Sequence, residues 1–168
     1  MGSNVLGFVA RHLVINVDID KQESYYGMLR PKEYNALAPP MFPFNTDGVD
    51  VSGVNIHVYN ISVTNYDDAV VIKANSYNSE TLNGTVMSCT SNVLVEDVSV
   101  EFGVGLSIGS VSGNSNFCIR NVVFQNIAAY YPIKFIYIKT GSNPDSGEPK
   151  ALIDNVTYRN MQAYNPLL

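Results

Sequence analysis

The residues of this chain that could carry out acid–base chemistry are three aspartates in two short motifs. Residues 45–48 read Asn-Thr-Asp-Gly and contain Asp47, and Asp67 and Asp68 follow as an adjacent pair. Crowded carboxyl groups cannot all be ionised comfortably, so the pKa of one of them should rise, as a proton donor requires. Such a group could hydrolyse a glycosidic bond. The structural alternative is that aspartates next to turns only cap backbone amides.

A repeated strand-like phrase predicts how these motifs are positioned. The phrase is apolar, any, apolar, any, Asn or Asp, apolar, and its alternation in Val, Ile, Tyr and Phe is typical of strands rather than helices. The recurring polar residue lies at Asn16 in a shortened first copy and then at Asn60, Asp97, Asn126 and Asn160. The successive intervals are 44, 37, 29 and 34 residues. Periods in this range indicate a solenoid.

We therefore predict an all-β fold, a parallel β-helix of about five coils that forms a single domain over residues 1–168 and is a fragment of a longer domain. Neighbouring coils should lie about 4.8 Å apart. An asparagine that recurs at one position of each coil can form a side-chain amide ladder; the alternative is that asparagine only marks turns. The third motif, residues 103–109, reads Gly-Val-Gly-Leu-Ser-Ile-Gly and falls on the same wall as the aspartates.

The two cysteines support this register. Cys89 and Cys118 are 29 residues apart, the same interval that separates Asp97 from Asn126. They should lie at one position of adjacent coils, close enough for a disulfide in a secreted protein. The alternative is a pair of reduced, buried cysteines.

Composition and charge exclude several classes of function. The 168 residues suffice for one sizeable core, and only 15% of them are charged. The net charge is −5 and there is no basic run, which argues against nucleic acid as a partner. No apolar stretch approaches the roughly 20 residues of a membrane span, so we expect no membrane partner.

The sequence also bears on location. Arg11 and His12 interrupt the first apolar stretch, and no basic region precedes it, so the chain shows no signal peptide. Glycosylation sequons begin at Asn60, Asn83 and Asn155. We expect an extracellular, secreted protein whose signal peptide lies outside this chain.

Three insertions, residues 22–44, 75–91 and 141–149, could wall a groove, or they could be tolerated insertions only. Aromatic faces suit sugar rings, so the tyrosines are candidates to line such a groove. Ordinary packing explains any single one of them. The candidates are Tyr25, Tyr26, Tyr34, Tyr130 and Tyr131.

Taken in order, the motifs at residues 45–48, 67–68, 103–110 and 138–139 resemble the four signatures of family 28 glycoside hydrolases, the polygalacturonases and rhamnogalacturonases. The resemblance runs from about residue 8 to the end and implies a right-handed, single-stranded parallel β-helix that cleaves pectin by inverting hydrolysis. It implies that Asp67 protonates the leaving oxygen, and that Asp47 and Asp68 hold and deprotonate the water.

The resemblance also identifies substrate-binding residues and two departures. Asn45, Tyr137 and Lys139 would bind substrate, and Lys139 would meet a sugar carboxylate. Val104 stands where the family has a histidine, and Tyr137 where it has an arginine. Losing the arginine removes a fork that grips carboxylates, which suggests a substrate less acidic than polygalacturonate.

Three hypotheses follow. The first is a pectin-type glycoside hydrolase that acts as a monomer on a polysaccharide, with no cofactor and no metal. The second is a catalytically weakened or inactive relative that binds cell-wall polysaccharide. The third is a purely structural solenoid fragment. Clustered aspartates would also suit a calcium-dependent lyase on the same fold, but the order of the motifs favours hydrolysis.

Overall fold

The computed structural model describes residues 2–18, 45–74, 78–112, 116–141 and 151–167. These residues contain nine β-strands and no helix, which confirms the prediction of an all-β chain. The strands are β1 (Gly2–Asn16), β2 (Val49–Asn65), β3 (Asp68–Ile72), β4 (Ser79–Leu82), β5 (Thr85–Phe102), β6 (Gly105–Ser112), β7 (Phe117–Tyr130), β8 (Ile136–Gly141) and β9 (Leu152–Tyr164).

The strands stack in parallel, coil on coil, which confirms the predicted parallel β-helix. The long strands β1, β2, β5, β7 and β9 pair in that order. The short strands β3, β6 and β8 form a second stack, which joins the first because Val49 at the start of β2 pairs with Val70 of β3. The chain therefore returns to the long-strand stack once per coil, one rung further along each time, through five successive coils.

The register agrees with the predicted intervals except at the first coil. Val58 pairs with Val95, and the same column continues through intervals of 29 and 34 residues. In the first coil Leu13 pairs with Ile61, so His12 rather than Asn16 lies opposite Asn60, and the interval is 48 residues. The prediction of 44 was wrong because a shift of four residues preserves the in-and-out alternation of a strand.

The recurring asparagines form the amide ladder. Asn60, Asp97, Asn126 and Asn160 all have left-handed backbone conformations, with φ between 50° and 55°. The long strands bend at these residues, and asparagine tolerates this conformation better than most residues. The Asn126 amide donates to the Asp97 carboxylate at 3.1 Å, and the Asn160 amide donates to Asn126 at 2.8 Å.

A second ladder, which the sequence analysis missed, runs beside the first. Asn55, Asn92, Asn121 and Asn155 also have positive φ. The side-chain amides of Asn92, Asn121 and Asn155 each donate to the ladder residue one coil earlier, at 3.2, 3.2 and 2.8 Å. The signal was present in the sequence, because each of these residues lies five positions before a residue of the first ladder. The two ladders thus hold the two bends of the long strands in register from one coil to the next.

The core lies inside the coils and is almost entirely aliphatic. Phe124 is completely buried and stacks on Tyr158 of the next coil, with ring centroids 4.7 Å apart. A disulfide joins Cys89 to Cys118, whose Cα atoms are 4.4 Å apart at paired positions of β5 and β7. Among the described residues, no helix is long and apolar enough to cross a membrane.

The predicted insertions have different outcomes. Residues 75–91 contain an antiparallel hairpin, in which β4 pairs with the start of β5, so describing the whole segment as a loop was wrong. Residues 22–44, with Tyr25, Tyr26 and Tyr34, lie outside the described residues, as does most of 141–149. Among the sequons, Asn83 is exposed at the hairpin turn, whereas the amide of Asn155 is engaged in a ladder.

We expect Asn121→Ala to lower the free energy of unfolding by about 2 kcal/mol, because alanine is strained in a left-handed conformation and both ladder hydrogen bonds are lost. Asn121→Gly should cost less, since glycine adopts this conformation without strain. Urea denaturation of both variants measures the difference, with Thr157→Ala, an exposed strand position, as the control. Equal losses for alanine and glycine would rule out the backbone explanation.

Candidate active site

The three predicted aspartates meet at the turn between two coils. One carboxylate oxygen from each of Asp47, Asp67 and Asp68 lies within 4.8 Å of the others. Asp47 immediately precedes the segment of β2 that pairs with β3, and Asp68 is the first residue of β3. The Gly48 amide donates to the Asp68 carbonyl at 2.8 Å, so pairing of the two coils brings the carboxylates together.

A buried asparagine that the sequence analysis missed holds this turn. The side-chain amide of Asn65 donates to the Thr46 carbonyl at 2.9 Å and to the Asp68 carbonyl at 2.8 Å. Asn65 is completely buried. One side chain therefore ties the segment that carries Asp47 to the segment that carries the aspartate pair.

Two glycines of the motifs are required by close packing. A Cβ atom at Gly48 would lie 2.4 Å from the carbonyl oxygen of Ala69. A Cβ atom at Gly103 would lie 2.4 Å from the Asn65 side chain and 2.5 Å from the Asp67 carbonyl, and Gly103 has a positive φ of 60°. The glycines thus allow adjacent coils to approach at the carboxylate turn.

The carboxylate of Asp67 accepts two backbone hydrogen bonds. The amide of Asn45 donates to it at 2.6 Å, and the amide of Asp68 donates at 2.8 Å. Asn45 was predicted to bind substrate, and the contact that the structure shows for it is this one, made through its backbone at a φ of 71°. Asn45 therefore positions Asp67.

Asp68 is almost completely buried, at 1% exposed, and its partners come from the following two coils. The hydroxyl of Ser107 in β6 donates to one carboxylate oxygen at 2.5 Å. The ammonium group of Lys139 in β8 contacts the other oxygen. Pairing of β3 with β6 and of β6 with β8 produces this arrangement. Lys139, predicted to bind substrate, contacts Asp68 in this structure, and Ser107 is a residue that the sequence analysis missed.

Asp47 is the carboxyl group whose pKa is raised, to about 6 from the usual 3.8. Burial is the largest cause, and the negative charge of Asp50 is the next, followed by that of Asp67. The ammonium group of Lys73 lies 3.7 Å from the carboxylates of both Asp47 and Asp50. One raised pKa was expected in this group, but the motifs had given the proton-donating role to Asp67.

Asp50 is a further acidic residue that the sequence analysis missed. It is 8% exposed, and its Oδ1 atom is buried without a hydrogen-bond partner. Its position three residues after Asp47, on the same segment of β2, could have identified it. Asp50 places an additional negative charge next to Asp47.

The two departures from the motif pattern lie in the two coils that follow this turn. The backbone amide of Val104 donates to the Asp67 carbonyl at 2.8 Å, so position 104 lies one coil beyond Asp67. The ring of Tyr137 lies below the ammonium group of Lys134 at 4.0 Å and 5.6 Å from that of Lys139. Tyr137 therefore lies between two cations, a favourable position for an aromatic ring.

The arrangement combines a carboxyl group that carries a proton near pH 6 with two others close by, as acid–base hydrolysis requires. Clustered carboxylates also suit a divalent cation. In this chain, however, Lys139 and Lys73 already bring positive charge to Asp68 and Asp47.

Comparison with known proteins gives one family. The model of the glycosyl hydrolases family 28 matches residues 9–165. A candidate rhamnogalacturonase D of Aspergillus niger is 29% identical over 97% of the chain and 32% of its own length. A candidate rhamnogalacturonase E of Aspergillus flavus is 30% identical over 64% of the chain and 20% of its own length.

A candidate exopolygalacturonase C of Aspergillus niger is 29% identical over 78% of the chain and 26% of its own length. The chain thus spans about a third or less of the length of these curated relatives. No solved structure matches the chain significantly.

We expect Asp50→Asn to lower the pKa of Asp47 toward its usual value, because it removes the nearest like charge. Carboxyl chemical shifts followed by carbon-detected NMR measure the titration, with Asp97→Asn, an exposed ladder residue, as the control. An unchanged midpoint would mean that Asp50 does not contribute to the raised pKa of Asp47.

The same titration affects stability. Between pH 3.8 and about 6 the folded chain retains a proton on Asp47 that the unfolded chain releases. The free energy of unfolding contributed by Asp47 therefore falls as the pH rises through this window.

Proposed function

The chain belongs to glycosyl hydrolases family 28, and we propose that it hydrolyses glycosidic bonds of a pectin-type polysaccharide, a galacturonan or a rhamnogalacturonan. The observation that carries the proposal is the approach of three aspartate oxygens to within 4.8 Å. The names of the similar proteins support a pectin-type substrate for the whole protein, of which the chain represents a part.

We propose an inverting reaction on the basis of the motifs, in which a carboxylic acid protonates the leaving oxygen and carboxylates activate a water molecule. The carboxylate oxygens lie within 4.8 Å of one another, closer than the roughly 6.5–9.5 Å usual for inverting enzymes, so the spacing is not the support for inversion. The motifs assign the acid to Asp67 and the water to Asp47 and Asp68. The raised pKa of Asp47 supports a carboxyl group that carries one proton below about pH 6. The raised pKa lies on Asp47, and the assignment of the acid to Asp67 rests on the motifs.

The partners of Asp68 support its role in holding the water. Ser107 and Lys139 fix both carboxylate oxygens of this buried side chain, which restricts its rotation. A fixed carboxylate is suited to orient a nucleophilic water. Lys139 then acts on substrate through Asp68, and Tyr137 with Lys134 provides a separate surface on which a sugar ring could rest.

We further propose that the protein is extracellular and acts as a monomer on its polysaccharide. The disulfide between Cys89 and Cys118 supports an oxidising compartment. The sequon at Asn83 lies at an exposed turn, where a glycan would not disturb the ladders.

The second candidate is a relative that binds the polysaccharide but has weak or no catalytic activity. Val104 and Tyr137 favour it, because they occupy the positions of the family's histidine and arginine without their charge. Binding of polysaccharide without release of product would support this candidate.

We expect release of reducing sugar from rhamnogalacturonan or polygalacturonate at mildly acidic pH, and a loss of at least about a hundredfold in Asp68→Asn. Asp67→Asn serves as a second variant in case the buried site is needed for folding, and Asp97→Asn is the matched control. Circular dichroism confirms that each variant is folded. Turnover that persists in both site variants would exclude the aspartate mechanism.

We expect Val104→His to raise the rate of hydrolysis by up to about a hundredfold, because it would place an additional proton-transferring group one coil from Asp67. The rate on the same polysaccharide measures it, and Val104→Leu controls for the change in size. A rate no higher than that of the parent chain would show that this position does not assist proton transfer.

A further inference from the structure

An aromatic column runs along the edge of the carboxylate turn. Tyr66 stacks on Phe102 with centroids 5.7 Å apart and planes 10° apart, and Phe102 stacks on Tyr131 at 6.3 Å and 29°. Both separations exceed the rung spacing of about 4.8 Å, so each ring is displaced sideways from the next. Phe102 is only half-buried and Tyr131 is 49% exposed, so part of each of these two rings is accessible.

The column is continuous with the proposed catalytic site. Tyr66 directly precedes Asp67, and Phe102 directly precedes Gly103. The backbone amide of Val104 donates a hydrogen bond to the Asp67 carbonyl, which holds the turn after Phe102 one rung from the turn after Tyr66. The column thus begins next to the reacting carboxylates and extends over three coils along the helix axis, the direction in which an extended polymer could follow it.

Two of the rings occupy positions that an aromatic residue does not favour. Phe102 and Tyr131 have φ values of 63° and 53°, in the left-handed region. Asn165, at the same position of the following coil, has a φ of 51° and is the kind of residue that accepts this conformation. Bulky residues retained at strained positions point to a function.

Core packing does not account for the strain. Tyr131 is 49% exposed, and Phe102 is only half-buried. Their side chains extend along the surface beside the site, where an exposed aromatic ring can receive a ligand.

We propose that Tyr66, Phe102 and Tyr131 form a platform on which sugar rings of the substrate stack, beginning beside the carboxylate cluster. The proposal rests on the proposed function of that site. Asp67 directly follows Tyr66, so the carboxylate cluster lies at the start of the column. A carboxylated ring would be repelled there, so the platform favours a neutral sugar ring, and hence rhamnogalacturonan over polygalacturonate.

Calorimetric titration with a rhamnogalacturonan oligosaccharide and with an oligogalacturonate tests the platform, in an Asp67→Asn background that preserves the ligand. We expect Phe102→Asn and Tyr131→Asn each to weaken binding of the rhamnogalacturonan oligosaccharide about five- to tenfold. Their melting temperatures should stay the same or rise, because asparagine relieves the strained backbone. Tyr164→Thr is the matched control, since Tyr164 is an equally exposed ring that stacks on Tyr130 outside the column.

Unchanged affinity in both asparagine variants, or no binding of either oligosaccharide by the parent, would overturn the platform. Equal affinities of the parent for the two ligands would overturn the preference for a neutral ring. Release of reducing sugar by the chain with Asp67 intact decides the proposed function separately. Hydrolysis together with unchanged binding in the variants would refute only the platform, and weakened binding without hydrolysis would refute only the reaction.

Discussion

Parallel pairing of each coil with the next is the constraint on which the rest of this structure depends. Once the side-chain pattern has set the register, residues at equivalent positions of successive coils lie above one another, one rung apart. The asparagine ladders, the disulfide and the aromatic column are all consequences of this stacking. The carboxylate site has the same origin, because its groups come from segments joined by the pairing of β2, β3, β6 and β8.

Electrostatics determine how the stacked carboxylates are tolerated. A buried charge is costly unless a partner compensates it, and Asp68 receives Lys139 and Ser107 from later coils. Burial and the negative charge of Asp50 raise the pKa of Asp47, although the ammonium group of Lys73 lies 3.7 Å away. Neighbouring carboxyl groups therefore differ in their surroundings, which is the condition under which one can donate a proton while another does not.

The departures from the family pattern lie on one side of the site. Val104 replaces a histidine and Tyr137 an arginine, so two polar groups have given way to an aliphatic and an aromatic one. Together with Phe102 and Tyr131 they make the surface around the aspartates more aromatic and less positively charged. This change affects how a sugar is held more directly than it affects the aspartates, all three of which are retained.

The sequence by itself determined the all-β class, the parallel solenoid, three of the four intervals between coils and which three aspartates come together. It could do so because alternation, repeated asparagines and short motifs are local patterns along the chain. It did not determine the first register, since His12 at the ladder position breaks the asparagine pattern while a shift of four residues leaves the alternation intact. Only the tertiary structure decided that Asn65 ties the site together, that Ser107 and Lys139 hold Asp68, and that the raised pKa belongs to Asp47. These properties depend on burial and on distances between side chains from different coils, which the order of residues along the chain does not contain.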